Sequence, residues 1–151
     1  IQHVYAQASR ASLVDAVLGA TDDERIYNAV INFRGKAVMT SGSHESGTDR
    51  VAEAAGNLDC EFVINVQGDE PFIRPEMIDD TVNLLYNDHR TSISTLARKV
   101  TDMHEIFSPH VVKVVVDDEG FALYFSRAPI PYHRDEFSEL RVTSLKFNSA
   151  L

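Results

Sequence analysis

The chain has 151 residues, and its 14 Lys and Arg against 23 Asp and Glu give a formal net charge of −9. Because nucleic-acid backbones bind basic surfaces, this acidic balance argues against DNA or RNA as the main partner. The 44% of hydrophobic and 25% of charged residues are typical of a globular protein, and the length favours one domain. No apolar run approaches the roughly 20 residues that cross a bilayer, so we predict no membrane insertion.

Apolar periodicity predicts short strands that alternate with amphipathic helices. A helix opens the chain, and strands are predicted at residues 16–20, 36–40, 61–67, 92–97, 111–116 and 121–126. Helices are predicted around residues 26–33, over 48–55 and from Pro75 onward, where proline suits a first turn. This alternation predicts an α/β fold, a three-layer α/β/α sandwich with a mostly parallel sheet, because parallel strands need helical crossovers.

Three local signals refine this prediction. Thr21-Asp22-Asp23-Glu24 has the spacing of a capping box at the start of the second helix. Gly35 follows that helix, where we expect a left-handed residue to end it. Asp117-Asp118-Glu119-Gly120 separates two strands and predicts a hairpin turn.

The first candidate site is Gln67-Gly68-Asp69-Glu70-Pro71, directly after the predicted strand at 61–67. In open α/β sheets, ligands bind outside the carboxyl ends of the strands. Asp69 at this position is suited to Mg²⁺, which usually takes only one or two protein carboxylates. The alternative is an ordinary turn, since Gly, Asp and Pro are common turn residues.

The second candidate site is Ser46-Gly47-Thr48-Asp49-Arg50, at the start of a predicted helix. Backbone amides at a helix N-terminus attract anions or the polar edge of a nucleotide, and Arg50 adds a planar set of donors. The spacing alone favours the alternative, a helix cap at Ser46 or Thr48 beside a solvated arginine.

Other chemistry is not indicated. The six histidines and the single cysteine, Cys60, show no metal-ligand spacing. Because one cysteine cannot form an internal disulfide, we predict a cytoplasmic location.

Several motifs occur in a characteristic order, namely Ala20–Glu24, Ala37–Ser41, His44 with Ser46–Arg50, Asn65–Pro71, Val111–Val115, and Ala122–Arg127 leading into Pro129–Tyr132. Together they resemble the 3-deoxy-manno-octulosonate (KDO) cytidylyltransferases, also called CMP-KDO synthetases. The resemblance runs from Ile1 to about Asp135. It leaves residues 136–151 as a divergent or foreign tail without assignment.

The resemblance implies a nucleotide-diphospho-sugar transferase fold and a reaction of CTP with KDO that gives CMP-KDO and pyrophosphate for lipopolysaccharide synthesis. It further implies that Asp69 is the catalytic Mg²⁺ ligand and that the intact enzyme is a homodimer. The residues implied around the cytidine are Ser46, Gly47, Thr48, Asp49, Arg50 and Gln67. Weaker candidates for the sugar acid are Arg127, Tyr132 and His133.

The family pattern also includes an N-terminal strand with a basic, triphosphate-binding loop, and a later second metal carboxylate, which this sequence does not contain. We therefore expect no transfer by these 151 residues alone. The alternatives are a CMP-sialic acid synthetase, a non-catalytic fragment, and a remote one, a phospho-receiver domain. The residues that mimic a receiver site are Asp22, Asp23, Asp69 and Lys99 or Lys113.

Overall fold

The structure, a computed structural model, describes residues 1–132. The chain divides into two compact units, of which the first is Ile1–Leu96 and the second begins at Ala97. The first unit contains α1 (Gln2–Ala8), β1 (Gly19–Thr21), α2 (Glu24–Asn32), β2 (Ala37–Met39), α3 (Gly47–Ala55) and α4 (Pro75–Asn87). The second contains α5 (Met103–Phe107), β3 (Lys113–Val116) and β4 (Ala122–Ser126). The predicted boundary between residues 135 and 136 lies outside the described residues.

The first unit is built on a strand–helix–strand crossover. β1 and β2 pair in parallel, with Gly19 opposite Ala37 and Thr21 opposite Met39. The pairing extends past both strands through the amide of Thr40, which donates to the carbonyl of Thr21 at 2.9 Å. α2 connects the strands and packs against both of them, as parallel pairing requires. The strand predicted at 36–40 is confirmed in shortened form, and the strand predicted at 16–20 lies slightly later, at Gly19–Thr21.

Close packing of α2 on the sheet depends on two glycines. Val30 of α2 is fully buried. A Cβ atom on Gly19 would lie 3.2 Å from Val30 Cγ2, and one on Gly35 would lie 2.8 Å from Val30 Cγ1. The left-handed residue after α2 is Arg34, with a φ of 65°, so the prediction for Gly35 is wrong. Gly35 is needed for its missing side chain, because a Cβ would overlap the core.

The predicted capping box before α2 is also wrong. The N-cap is Asp23, whose carboxylate accepts from the Arg25 amide at 2.7 Å. Thr21 belongs to β1, and its hydroxyl accepts instead from the Asp23 amide at 3.1 Å. Because Thr21 pairs within β1, it lies too early to cap α2, and Asp23, directly before the first helical residue Glu24, is the cap.

Two predicted strands, at 61–67 and 92–97, are not formed within the described residues. A strand needs a neighbour that pairs with its backbone groups, and residues 1–132 provide none for these segments. Residues 61–67 nevertheless keep an alternating exposure, and their inner side chains pack on a buried cluster. The cluster consists of Ala8, Ala11 and Ile78, and its neighbours here are Ile64 and Val66.

Side-chain bonds join α1 and α4 to the rest of the first unit. The Tyr5 hydroxyl donates to the Val17 carbonyl at 3.0 Å and accepts from the Lys36 amide at 2.9 Å. Asp79 of α4 accepts from the amides of Ser12 and Leu13 at 2.9 and 2.8 Å. These bonds fix the chain between α1 and β1 at both ends.

The second unit contains the predicted hairpin, in which β3 and β4 pair antiparallel. Its turn is confirmed, because Asp117 accepts from the amides of Glu119 and Phe121, and Gly120 has a φ of 89°. Lys113 is 5% exposed, and its ammonium group donates to three backbone carbonyls at 2.6 to 2.9 Å. Those carbonyls belong to Ser108, Val111 and Arg127.

The short helix α5, which the sequence pattern did not predict, begins after an Asp102 cap on the His104 amide. Across residues 1–132, no helix has the length and apolar character needed to span a membrane.

Candidate functional site

The polar residues that follow β1 and β2 lie at one edge of the parallel pair. Arg50 of α3 connects them, because its Nη1 atom donates to Thr40 Oγ1 at 2.7 Å and its Nη2 atom lies 3.0 Å from Asp22 Oδ2. The Arg50 side chain is only 18% exposed, whereas that of Asp22 is 41% exposed. The guanidinium group therefore fixes α3 to the ends of both strands, and its contact with the cytidine stays a prediction.

A second set of bonds closes the loop between β2 and α3. Glu53 of α3 accepts from the Ser41 amide at 3.0 Å and also pairs with the His44 ring. The hydrogen bond from His44 is the main cause that lowers the pKa of Glu53, and the Ser41 amide adds to the effect. The Glu53 carboxylate thus holds Ser41 and His44 of this loop against α3, just before the candidate residues at 46–50.

The start of α3 combines a side-chain cap with accessible first-turn amides. Ser46 is the N-cap, as one of the alternatives predicted, and its hydroxyl accepts from the Asp49 amide at 3.2 Å. The same hydroxyl donates to Asp49 Oδ2 at 2.6 Å. Because the first amides of any helix have no partner within it, those of Gly47 and Thr48 suit a polar or anionic ligand.

Gln67 lies against this first turn of α3. A Cβ atom on Gly47 would be 3.1 Å from Gln67 Oε1 and 3.4 Å from Gln67 Nε2. Gln67 Nε2 donates to Asn65 Oδ1 at 2.9 Å, and Asn65 Nδ2 donates to Thr48 Oγ1 at 3.4 Å. The two sites predicted from the sequence therefore meet here, through the absence of a side chain at Gly47.

Asp69 lies in a turn just after Gln67, where the Glu70 amide donates to the Gln67 carbonyl at 3.2 Å. The carboxylate is exposed and has no hydrogen bond or ion pair with another residue of the described chain. Oxygen atoms of this kind suit a hard divalent cation. Residues 1–132 contain no cluster of three or more metal-ligating side chains, so Asp69 as a ligand of Mg²⁺ stays a prediction.

The candidates for the sugar acid lie in the second unit. Arg127 is exposed and its Nη1 atom donates to the Pro109 carbonyl at 2.7 Å, which leaves its other guanidinium donors for a ligand. Tyr132 is 67% exposed. His133 lies outside the described residues, and the roles of all three stay predictions.

Three polar residues of the first unit, Asn65, His44 and Glu53, escaped the assignment of site residues. Asn65 and His44 lie within the recognised motifs, but their contacts depend on residues distant in sequence. Glu53 lies two residues before Ala55, the last residue of α3, and in the sequence it resembles any solvated helix residue. Only the folded loop shows that these side chains support residues 46–50.

Comparison with known proteins gives one consistent family. The cytidylyltransferase family profile matches residues 1–149. The 3-deoxy-manno-octulosonate cytidylyltransferase of Pelobacter propionicus is 52% identical over 93% of this chain and 55% of its own length. That of Idiomarina loihiensis is 47% identical over 96% of this chain and 58% of its own length. The chain thus spans a little over half the length of these relatives.

A solved structure of CMP:2-keto-3-deoxy-manno-octonic acid synthetase complexed with CTP is also similar. It is 44% identical, with a TM-score of 0.85, over 91% of this chain and 56% of that chain. This similarity confirms the predicted α/β fold class, and it excludes the phospho-receiver alternative. With the profile match over nearly the whole sequence, the chain belongs to the cytidylyltransferase family.

Proposed function

We propose that the protein transfers the cytidylyl group of CTP to KDO, forming CMP-KDO and pyrophosphate. Two relatives that are 52% identical to this chain support the choice of substrates, because both are named 3-deoxy-manno-octulosonate cytidylyltransferase. The observation that carries the proposal is the position of Gln67 on the first turn of α3, two residues before Asp69, whose carboxylate has no partner among residues 1–132.

In this proposal, the first turn of α3 and Gln67 hold the cytosine ring. Main-chain amides of Gly47 and Thr48 and the side-chain amide of Gln67 offer neutral donors and acceptors, which suit a base edge better than a phosphate. Arg50 supports this site indirectly, because its bonds to Asp22 and Thr40 hold α3 in place. Ser46 and Asp49 stabilise the turn that carries the amides.

Asp69 is the proposed ligand of Mg²⁺. When bound, the ion would offset the negative charge of the triphosphate and of the α-phosphate during transfer. The anomeric hydroxyl oxygen of KDO forms a bond to the α-phosphorus, the bond to the β-phosphate oxygen breaks, and the hydroxyl proton leaves to solvent. Arg127 and Tyr132, together with His133, are the proposed contacts for the sugar acid, whose carboxylate requires a cationic partner.

Three broader expectations belong to the same proposal. The product would serve lipopolysaccharide synthesis, the protein would work in the cytoplasm, and the intact enzyme would be a homodimer. The acidic net charge of −9 gives no support to a nucleic-acid partner.

The proposal is tested by a pyrophosphate-release assay of the full-length protein with CTP, Mg²⁺ and either KDO or sialic acid. We expect pyrophosphate with KDO only, and CMP-KDO as the second product. Release of pyrophosphate with sialic acid but not with KDO would show that sialic acid is the acceptor. Release with neither sugar, from a protein that is folded by circular dichroism, would contradict the proposal.

A further inference from the structure

The side-chain amides of Asn65 and Gln67 form a short chain of hydrogen bonds that ends on α3. Gln67 Nε2 donates to Asn65 Oδ1 at 2.9 Å, and Asn65 Nδ2 donates to Thr48 Oγ1 at 3.4 Å. Gln67 Oε1 faces Gly47 and would lie 3.1 Å from a Cβ atom built there. Among residues 1–132, no donor bonds to this Oε1 atom. The carbonyl end of Gln67 is therefore the end left for a ligand at the helix start.

A glutamine amide is by itself an ambiguous reader of a base. Rotation by half a turn about its last bond exchanges one acceptor oxygen for a nitrogen with two donors. Cytosine presents an exocyclic amino donor at C4, whereas uracil presents a carbonyl acceptor at the same place. An amide free to rotate could bond either base, and so it would discriminate poorly between CTP and UTP.

We infer that Asn65 is a positioning residue that determines the choice of pyrimidine by fixing the Gln67 amide with its carbonyl towards the base. The inference rests on the proposed function, because it assumes that Gln67 contacts the base of CTP. Asn65 Oδ1 accepts from Gln67 Nε2, which holds the nitrogen away from the ligand side. Asn65 Nδ2 in turn donates to Thr48 Oγ1 at 3.4 Å, which connects both amides to α3.

The side chain at position 65 offers a matched pair of variants. Asn65→Asp keeps an acceptor for Gln67 Nε2, and the Thr48 hydroxyl can donate to the new carboxylate. Asn65→Ala removes the acceptor and releases the Gln67 amide. Because Asn65 is exposed, we expect both variants to fold. The negative charge in Asn65→Asp weakens both triphosphates alike, and this effect cancels in a ratio of CTP to UTP.

The experiment measures kcat/KM for CTP and for UTP in the pyrophosphate-release assay with KDO and Mg²⁺, using the full-length protein and both variants. We expect Asn65→Ala to lower the preference for CTP over UTP by about 5-fold, the value of a neutral hydrogen bond that no longer discriminates. Asn65→Asp should keep the preference of the wild type to within about 2-fold. A residue needed only for stability would lower both rates and leave the ratio unchanged.

The possible results distinguish the role of Asn65 from the proposed function. A wild type that prefers CTP, with the same preference in Asn65→Ala, would overturn the role of Asn65 and leave the proposed function standing. A loss of preference in Asn65→Asp as large as in Asn65→Ala would overturn it as well. A wild type that prefers UTP, or uses neither nucleotide, would overturn the proposed function together with the inference.

Discussion

A substitution at Gly47 distinguishes an effect on folding from an effect on binding. One added methyl group should raise the free energy of unfolding and lower the affinity for CTP. Gly47 is the first residue of α3 and does not have a positive φ. Alanine is the better helix former, so Gly47→Ala should raise the free energy of unfolding by up to about 1 kcal/mol. The new Cβ would lie 3.1 Å from Gln67 Oε1, closer than ordinary contact, so the amide must move by a few tenths of an ångström.

The displaced amide is the proposed contact for the base. Loss of one neutral hydrogen bond corresponds to about 0.5 to 1.5 kcal/mol, and we therefore expect CTP to bind about 2- to 10-fold more weakly. Isothermal titration with CTP and Mg²⁺ measures the affinity, and urea unfolding measures the stability. Both measurements use the full-length protein.

The control is Gly56→Ala at the other end of α3. Gly56 has a right-handed φ of −60°, and a Cβ there would meet the carbonyls of Ala52 and Glu53 at 3.5 Å, an ordinary contact. It adds the same methyl group to the same helix without touching Gln67, so CTP affinity should not change. If Gly47→Ala binds CTP as tightly as Gly56→Ala does, Gln67 does not contact the base in the way proposed here.

Further predictions concern the metal ligand, the arginine and the response to acid. Asp69→Asn, which is nearly isosteric and removes one charge, should lower kcat by orders of magnitude at ordinary Mg²⁺ concentrations with little change in urea midpoint; full activity would exclude Asp69 as the ligand. Arg50→Ala should lower the free energy of unfolding by about 1 to 2 kcal/mol, because it removes the bonds to Thr40 and Asp22; an unchanged urea midpoint would contradict this role. The hydrogen bonds from Arg25 lower the pKa of Asp23 from 3.8 to about 2, so this cap stabilises the fold above pH 3.8 and is lost as the pH falls towards 2. Asp23→Asn, which can still cap α2 but cannot ionise, should weaken the dependence of stability on pH in that range, and an identical curve would show that titration of Asp23 does not contribute.

Some local signals in the sequence predicted local structure, whereas the capping box at Thr21–Glu24 and the left-handed residue at Gly35 were wrong. Ser46 caps α3, Pro75 begins α4, and Asp117–Gly120 form the hairpin turn, because each depends on residues within one turn of the chain. The segment at 61–67 shows where this reasoning fails. Its alternating apolar pattern is present, but a strand also requires a paired neighbour, which the pattern of one segment does not contain.

The candidate site was predicted as two separate segments, and the sequence did not show how they meet. That Gly47 gives room for Gln67 follows from the packing of residues 20 positions apart. Arg50 was predicted to face the nucleotide. In the structure its guanidinium group instead bonds to Asp22 and Thr40, which follow β1 and β2. Such contacts depend on tertiary packing, so no spacing within a motif reveals them.

The burial of Lys113 makes its amine a reporter of motion in the hairpin. All three N–H groups of its ammonium are engaged by carbonyls, and the side chain is almost inaccessible. An amine-reactive acylating reagent needs a neutral, exposed nitrogen, and it can meet Lys113 only when β3 separates from the turn at Ser108 and from Arg127. The rate of acylation at Lys113, read by mass spectrometry against the exposed Lys36 or Lys99, would therefore measure how often this part of the fold opens in the native protein.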